Sequence, residues 1–168
     1  LNLFAYTGGA TLAAAAAGAQ ITHVDASKGM VTWAKENAVS SGLGDAPIRW
    51  LVDDCVKFVE REIRRGNTYD AIIMDPPSYG RGPKGEIWKI EDMIHPLIKL
   101  CTKILSKDAL FFLVNSYTTG LAPAVLTYMI STELKPWNGH VDSQEIGLPV
   151  TDSGLVLPCG ASGRWERD

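Results

Sequence analysis

The chain has 168 residues, of which 46% are hydrophobic and 21% charged, a composition typical of one soluble domain with a substantial core. Its formal net charge of −3 excludes a domain-wide positive surface for nucleic acid, so a polyanion must be bound by a local patch. Three widely spaced cysteines argue against a disulfide framework or a zinc site and favour reduced thiols in a cytoplasmic protein, and the apolar runs are too short to span a bilayer.

Short apolar runs alternate with amphipathic stretches along most of the chain. They predict strands near 1–6, 20–25, 47–53, 69–75 and 108–115, and helices near 9–18, 27–41, 54–65, 90–106 and 120–133. This alternation predicts an α/β fold, a Rossmann-like doubly wound sheet that is mostly parallel, with helices on both faces. Two later strand candidates, about 140–147 and 153–159, are expected to pair as antiparallel edge strands.

The chain starts inside its first predicted strand and has no initiating methionine. We therefore expect an N-terminal region of the full-length protein to be missing. Residues 1–168 are expected to form a single domain.

A glycine-rich turn follows the first predicted strand. Tyr6-Thr7-Gly8-Gly9 leads into an alanine-rich helix, so the backbone can approach a ligand closely beside a helix N-terminus. The turn does not match G-x-G-x-x-G, which disfavours a dinucleotide site. The alternative, that the glycines only make the strand-to-helix turn, stays open.

Acidic residues follow the second and third predicted strands. Ligands of doubly wound sheets bind outside the carboxyl ends of the strands, where Asp25 is placed to accept hydrogen bonds from both hydroxyls of a ribose. Asp54, in Asp53-Asp54-Cys55, is placed to accept from an exocyclic adenine amine. The alternative for these acids, and for Ser27, is that they cap the next helix, and the two roles are compatible.

The fourth predicted strand ends in Asp75-Pro76-Pro77-Ser78-Tyr79. The prolines fix the backbone and remove donors, which leaves carbonyl oxygens and the Asp75 carboxylate to accept from a planar amine. Tyr79 offers a ring for stacking. A structural turn seldom needs an acid, two prolines and an aromatic residue together, so Asp75, Pro76, Pro77 and Tyr79 are the predicted catalytic residues.

In their order and spacing, these motifs resemble those of the class I S-adenosylmethionine-dependent methyltransferases, most closely the bacterial branch that methylates large-subunit ribosomal RNA. The resemblance covers essentially all of residues 1–160 and is carried by "NLFAYTGG", "VDAS", "AKENA", "DD" and "DPPSY". It implies a seven-stranded sheet in the order 3-2-1-4-5-7-6 with the last strand antiparallel. It also implies S-adenosylmethionine as cofactor, ribosomal RNA as substrate and no metal.

The resemblance further implies where the cofactor lies. The implied contacts are the turn after the first strand, the ribose at Asp25, the adenine pocket and the end of the fourth strand. The residues concerned are Phe4, Tyr6, Thr7, Gly8, Gly9, Asp25, Ala26, Ser27, Asp54 and Asp75.

The chain departs from the relatives that methylate carbon 5 of cytosine. Those enzymes attack the ring with a cysteine after the double proline or after the fifth strand, where this chain has Ser78 and Asn115-Ser116-Tyr117. Without a thiolate, we expect direct transfer to an amino nitrogen held by Asp75 and the Pro76 carbonyl and stacked on Tyr79. Because Ser78 displaces the aromatic residue by one position from the amino-methyltransferase signature, the target atom stays open.

The remaining reactive side chains have structural interpretations. His23, His95 and His140 are isolated and expected to be structural or solvated, and Cys55, Cys101 and Cys159 are expected to pack in the core, with Cys159 ending the last strand.

Residues 80–89 contain Arg81, Lys84 and Lys89 among glycines. They are expected to form a mobile lid that meets phosphate or, alternatively, a solvated loop. Three rival functions stay open, namely methylation of a small molecule or protein, an NAD-dependent oxidoreductase, and a cofactor-binding module without catalysis.

Overall fold

The computed structural model describes residues 1–82, 85–118 and 120–168. In the described residues, strands and α-helices alternate up to residue 133 except for two additional short strands before the fourth helix, and a long hairpin follows. The elements are β1 (Asn2–Leu3), α1 (Gly9–Ala16), β2 (Ile21–Asp25), α2 (Lys28–Ser40), β3 (Ile48–Val52), α3 (Cys55–Arg65), β4 (Ala71–Met74), β5 (Tyr79–Arg81), β6 (Ile87–Lys89), α4 (Ile90–Thr102), β7 (Phe111–Ser116), α5 (Pro123–Glu133), β8 (His140–Pro149) and β9 (Val156–Glu166).

Seven strands form one sheet in the order β3-β2-β1-β4-β7-β9-β8. The first five pair in parallel, and β9 runs antiparallel to both of its neighbours. The Rossmann-like doubly wound fold and the implied strand order are therefore confirmed. The order reverses between β1 and β4, so the crevice for a ligand is expected outside the carboxyl ends of these two strands.

The first strand is much shorter than the predicted 1–6. Pairing with β2 and β4 stops after Leu3 because Phe4 and Tyr6 adopt positive φ angles of 54° and 48°. Such angles are uncommon for side-chain-bearing residues and turn the chain out of the sheet. β1 itself is buried, with Leu3 fully inaccessible to solvent.

The C-terminal strands differ from the prediction. β9 begins at Val156 and continues to Glu166, well past the predicted 153–159, and it lies between β7 and β8 and not at an edge. Trp165 explains the extension, because its buried side chain lies opposite Phe112 of β7. Glycines at 160 and 163 weaken the strand pattern in the sequence. Cys159 consequently lies near the start of this strand, so its predicted place at the end is wrong.

Helix α3 shows how the predicted amphipathic pattern meets the core. Phe58 and Val59 are buried, while Val56 and Ile63 pack against the core from its margin. Gly66 ends the helix in the left-handed conformation.

Every helix in the part of the chain that the structure describes is too short or too polar to span a bilayer.

Candidate active site

A cleft of about 700 Å³ opens at the carboxyl ends of β1, β2 and β4. It lies where the strand order reverses, the expected ligand position of a doubly wound sheet. Its described lining residues are Phe4, Tyr6, Asp25, Ala26, Ser27, Asp54, Cys55, Val56, Asp75, Pro77, Gly80, Arg81, Gly82, Trp88 and Tyr117.

The turn after β1 forms one wall of the cleft. The positive φ angles of Phe4 and Tyr6 are held by hydrogen bonds, since the Phe4 N–H donates to Cys55 Sγ at 3.3 Å and the Tyr6 N–H to Asp25 at 2.9 Å. Gly8 precedes α1 with φ 88°, and a Cβ there would lie 3.1 Å from the Cβ of Ala34. This position therefore requires glycine for both its conformation and its packing.

Asp25 is oriented by the backbone on both sides. Its Oδ2 accepts from the Tyr6 N–H at 2.9 Å and its Oδ1 from the Ser27 N–H at 2.8 Å. Each carboxylate oxygen can accept a second hydrogen bond, so two acceptor positions remain available toward the cleft. This pair of acceptors suits the vicinal hydroxyls of a ribose.

The helix-capping alternatives are confirmed at two positions. Ser27 Oγ accepts from the Met30 N–H at 3.3 Å and caps α2, and Asp54 Oδ1 accepts from the Lys57 N–H at 2.9 Å and caps α3. Both residues also line the cleft, so capping and ligand contact are compatible. The neighbouring Asp53 forms an ion pair with Arg61.

The segment after β4 is pinned from two sides. Trp88 Nε1 donates to the Pro77 carbonyl at 2.7 Å, and its ring packs on Phe4 with centroids 4.9 Å apart. Ser78 Oγ forms a 2.7 Å hydrogen bond with Thr118 Oγ1, which ties this segment to the end of β7. The backbone that carries Asp75 is therefore fixed relative to the cleft.

Asp75 lines the cleft and stays accessible to solvent. Partial desolvation by the surrounding protein raises the pKa of its carboxyl group above the ordinary value. A carboxylate with a raised pKa is a better hydrogen-bond and proton acceptor than a free one.

Some predicted residues do not contact the cleft. Thr7, Gly8 and Gly9 form the turn behind it, where the Thr7 carbonyl accepts from Asn37 Nδ2 at 3.0 Å. Pro76, in the segment after β4, is buried. Tyr79 is 52% exposed and lies on the β5–β6 hairpin, outside the described lining.

Three lining residues outside the predicted lid were not proposed as site residues from the sequence, namely Cys55, Val56 and Tyr117, and Trp88 lies in the segment 80–89 that was predicted only as a lid. Tyr117 directly follows β7, and the rule that ligands bind at the ends of parallel strands already singles out that position. Trp88 is brought to the cleft by the β5–β6 hairpin, which no local sequence signal indicated.

The thiols of the site are poorly suited to nucleophilic attack. Burial raises the pKa of the Cys55 thiol at the cleft wall well above its usual range, and burial also raises the pKa of Cys101 in the core. Cys159 is half-buried on β9, outside the described cleft lining. No described cysteine is therefore activated as a thiolate beside Asp75.

The histidines take structural or surface positions. His23 is fully buried beside Thr11 Oγ1, which lies 2.9 Å from its Nδ1, and burial lowers its pKa to about 4. His95 pairs with Glu133, and His140 with Glu166. Within the described parts of the chain, no cluster of three or more His, Cys, Asp or Glu could hold a metal ion.

The predicted lid contains a two-stranded hairpin. β5 and β6 pair antiparallel, with Gly80 opposite Trp88, and Arg81 reaches the cleft lining. Lys57 pairs with Glu86, which directly precedes β6. Lys84 lies outside the described residues, and the predicted mobility of the segment stays a prediction.

A family model identifies the family of this chain. Residues 1–131 match the family model described as S-adenosylmethionine-dependent methyltransferase. A crystal structure described as the SAM-dependent methyltransferase from Agrobacterium tumefaciens is 44% identical, with a TM-score of 0.93 over 99% of this chain and 55% of that one.

Two curated relatives carry ribosomal RNA methyltransferase names. Ribosomal RNA large subunit methyltransferase K of Neisseria meningitidis is 32% identical over 69% of this chain and 33% of that protein. Ribosomal RNA large subunit methyltransferase K/L of Shewanella frigidimarina is 36% identical over 60% of this chain and 15% of that protein. The chain thus spans a third or less of these two relatives.

Proposed function

We propose that this chain, which belongs to the S-adenosylmethionine-dependent methyltransferase family, methylates a nitrogen of a ribosomal RNA base by direct transfer. Residues 1–168 would act as one catalytic domain, and a ribosomal substrate would place the protein in the cytoplasm. The observation that carries the proposal is the cleft at the strand reversal, where Asp25 and Asp75 converge and no activated thiol is present among the described residues.

The cleft has the features that the cofactor requires. Asp25 keeps two acceptor positions for ribose hydroxyls, and Ala26 with the free oxygen of Asp54 would border the adenine. Tyr6 and Asp75 would flank the methionine moiety. The turn residues Thr7, Gly8 and Gly9 would support this wall from behind.

The chemistry divides between cofactor and protein. When bound, S-adenosylmethionine supplies a methyl group on a sulfonium sulfur, which leaves as a neutral thioether. The Asp75 carboxylate would align the acceptor amine and take the proton that the amine loses. The raised pKa of Asp75 supports this proton transfer.

The substrate class is inferred from two observations. Relatives at 32% and 36% identity carry ribosomal RNA methyltransferase names. Arg81, on the β5–β6 hairpin at the cleft, supplies a local positive charge for a phosphate although the whole chain is acidic. A base within a helix would have to be flipped out or come from a single-stranded loop to reach Asp75.

The test is methyl transfer from labelled S-adenosylmethionine to ribosomal RNA isolated from a strain that lacks the gene. RNA from the parent strain, already modified, is the matched control and should accept little label. Mass spectrometry of the labelled nucleoside would identify the atom. Absence of label in the deletion-strain RNA, with S-adenosylhomocysteine still bound, would refute the RNA substrate, whereas binding of NAD in its place would refute the cofactor assignment.

A further inference from the structure

Tyr117 is an exposed aromatic residue in the cleft to which the proposed function gives no role. It directly follows β7, its side chain is 56% exposed, and it lines the same cleft as Asp75. An isolated exposed tyrosine is unremarkable on a protein surface. At this position, however, Tyr117 borders the cleft in which an acceptor would meet Asp75.

The backbone of Tyr117 is fixed on two sides. Gly160 of β9 runs so close that a Cβ there would lie 2.7 Å from the Cα of Tyr117 and would collide with the Ser116 carbonyl oxygen. On the other side, Thr118 donates its N–H to Ser116 Oγ at 3.1 Å and bonds through its hydroxyl to Ser78. The ring is thus presented from a rigid base that is joined to the segment carrying Asp75.

The electrostatic surroundings keep the phenol neutral. Desolvation, with smaller contributions from the negative charge of Asp75 and from Tyr6, raises the pKa of Tyr117. A neutral phenol ring can stack on a base and can donate a hydrogen bond from its hydroxyl.

The aromatic residue predicted for stacking lies elsewhere. Tyr79 is on the outer hairpin and does not contribute to the described cleft lining. Tyr79 therefore gives the cleft no ring for stacking, whereas Tyr117 does.

We infer that Tyr117 is the positioning residue that stacks on the acceptor base and holds its nitrogen against Asp75. The inference rests on the proposed function, since it requires a planar base as acceptor. Stacking of a base on an aromatic side chain contributes about 1–3 kcal/mol, so its loss should lower kcat/KM for RNA roughly five- to 150-fold.

The experiment compares Tyr117→Phe and Tyr117→Leu by steady-state methylation of deletion-strain ribosomal RNA and by calorimetry with S-adenosylhomocysteine. The phenylalanine variant should stay within about fivefold of wild type because it keeps the ring face. The leucine variant should lose at least about fivefold in kcat/KM for RNA while its affinity for S-adenosylhomocysteine changes less than about threefold. Tyr128→Leu, which removes a tyrosine that is 71% exposed on α5, is the matched control and should behave as wild type.

Three results would overturn the inference. In the first, Tyr117→Leu is as active as wild type. In the second, Tyr117→Leu loses as much affinity for S-adenosylhomocysteine as it loses activity. In the third, Tyr79→Leu loses activity and Tyr117→Leu does not. Each leaves the proposed function standing. Wild-type enzyme that labels no ribosomal RNA would instead refute the proposed function, and the inference with it.

Discussion

Removing the Asp25 carboxylate gives the sharpest test of the cofactor site. In Asp25→Ala, the N–H groups of Tyr6 and Ser27 lose their acceptor, and two further acceptor positions toward the cleft disappear. Both N–H groups lie at an exposed part of the cleft, where water can replace the lost partner. The fold should therefore be retained, and the free energy of unfolding measured by thermal denaturation should change by less than about 1 kcal/mol.

The expected loss of affinity follows from the two free acceptor positions. A hydrogen bond to a charged group contributes about 1.5–3 kcal/mol, and water compensates part of this when the carboxylate is absent. We therefore expect S-adenosylhomocysteine to bind Asp25→Ala about 2–4 kcal/mol more weakly, which is roughly thirtyfold to a thousandfold.

The assay is a double-mutant cycle measured by calorimetry. Wild type and Asp25→Ala are each titrated with S-adenosylhomocysteine and with its analogue that lacks both ribose hydroxyls. Wild type should discriminate strongly between the two ligands, and the variant should hardly discriminate. Asp108→Ala, which removes a surface partner of Arg167, is the control for loss of a carboxylate elsewhere.

Two results would contradict the assignment of Asp25 to the ribose. Unchanged affinity of the variant would show that the carboxylate does not contact the ligand. An equal loss for both ligands would show that Asp25 acts only by shaping the turn around Tyr6.

The other predictions concern chemistry and stability. Asp75→Asn should keep most affinity for S-adenosylhomocysteine and lose methyl transfer by about a hundredfold or more. Equal losses of cofactor binding and methyl transfer would instead make Asp75 a cofactor ligand. Because desolvation raises the pKa of Asp75, its ionised form is disfavoured in the folded chain. The same variant should therefore unfold at a slightly higher temperature at neutral pH. If transfer is direct, single-turnover methylation should stay within about tenfold of wild type in the triple variant Cys55→Ala, Cys101→Ala, Cys159→Ala, and no covalent adduct with fluorinated RNA should form. An inactive triple variant with normal cofactor affinity would instead indicate attack by a thiolate. The pKa of His23 falls from 6.5 to about 4 on folding, so the unfolded chain binds a proton that the folded chain does not. In urea unfolding, the contribution of His23 should lower the free energy of unfolding by up to about 3 kcal/mol as the pH falls from about 6.5 to about 4, and His23→Gln should weaken the pH dependence by that amount.

The sequence by itself determined the layered fold. Alternating apolar runs and amphipathic helices specify a doubly wound sheet, because each element shows its own hydrophobic period within a few neighbouring residues. The strand ends could be located in the same way, so Asp25, Asp54 and Asp75 were predicted as site residues, and all three line the cleft. Their roles toward the cofactor remain predictions.

Tertiary structure decided which side chains share the cleft. Tyr79 and Tyr117 follow strands in the sequence alike, yet only Tyr117 is among the described lining residues, because the chain turns into the β5–β6 hairpin at Tyr79. Trp88 reaches the site only because that hairpin folds back on Pro77. Likewise, β9 pairs with β7 across more than 40 residues of sequence, as at Asn115 and Ser162, whose side chains bond at 2.8 Å. Contacts of this kind depend on the packed chain and leave no local pattern, so the sequence alone did not predict them.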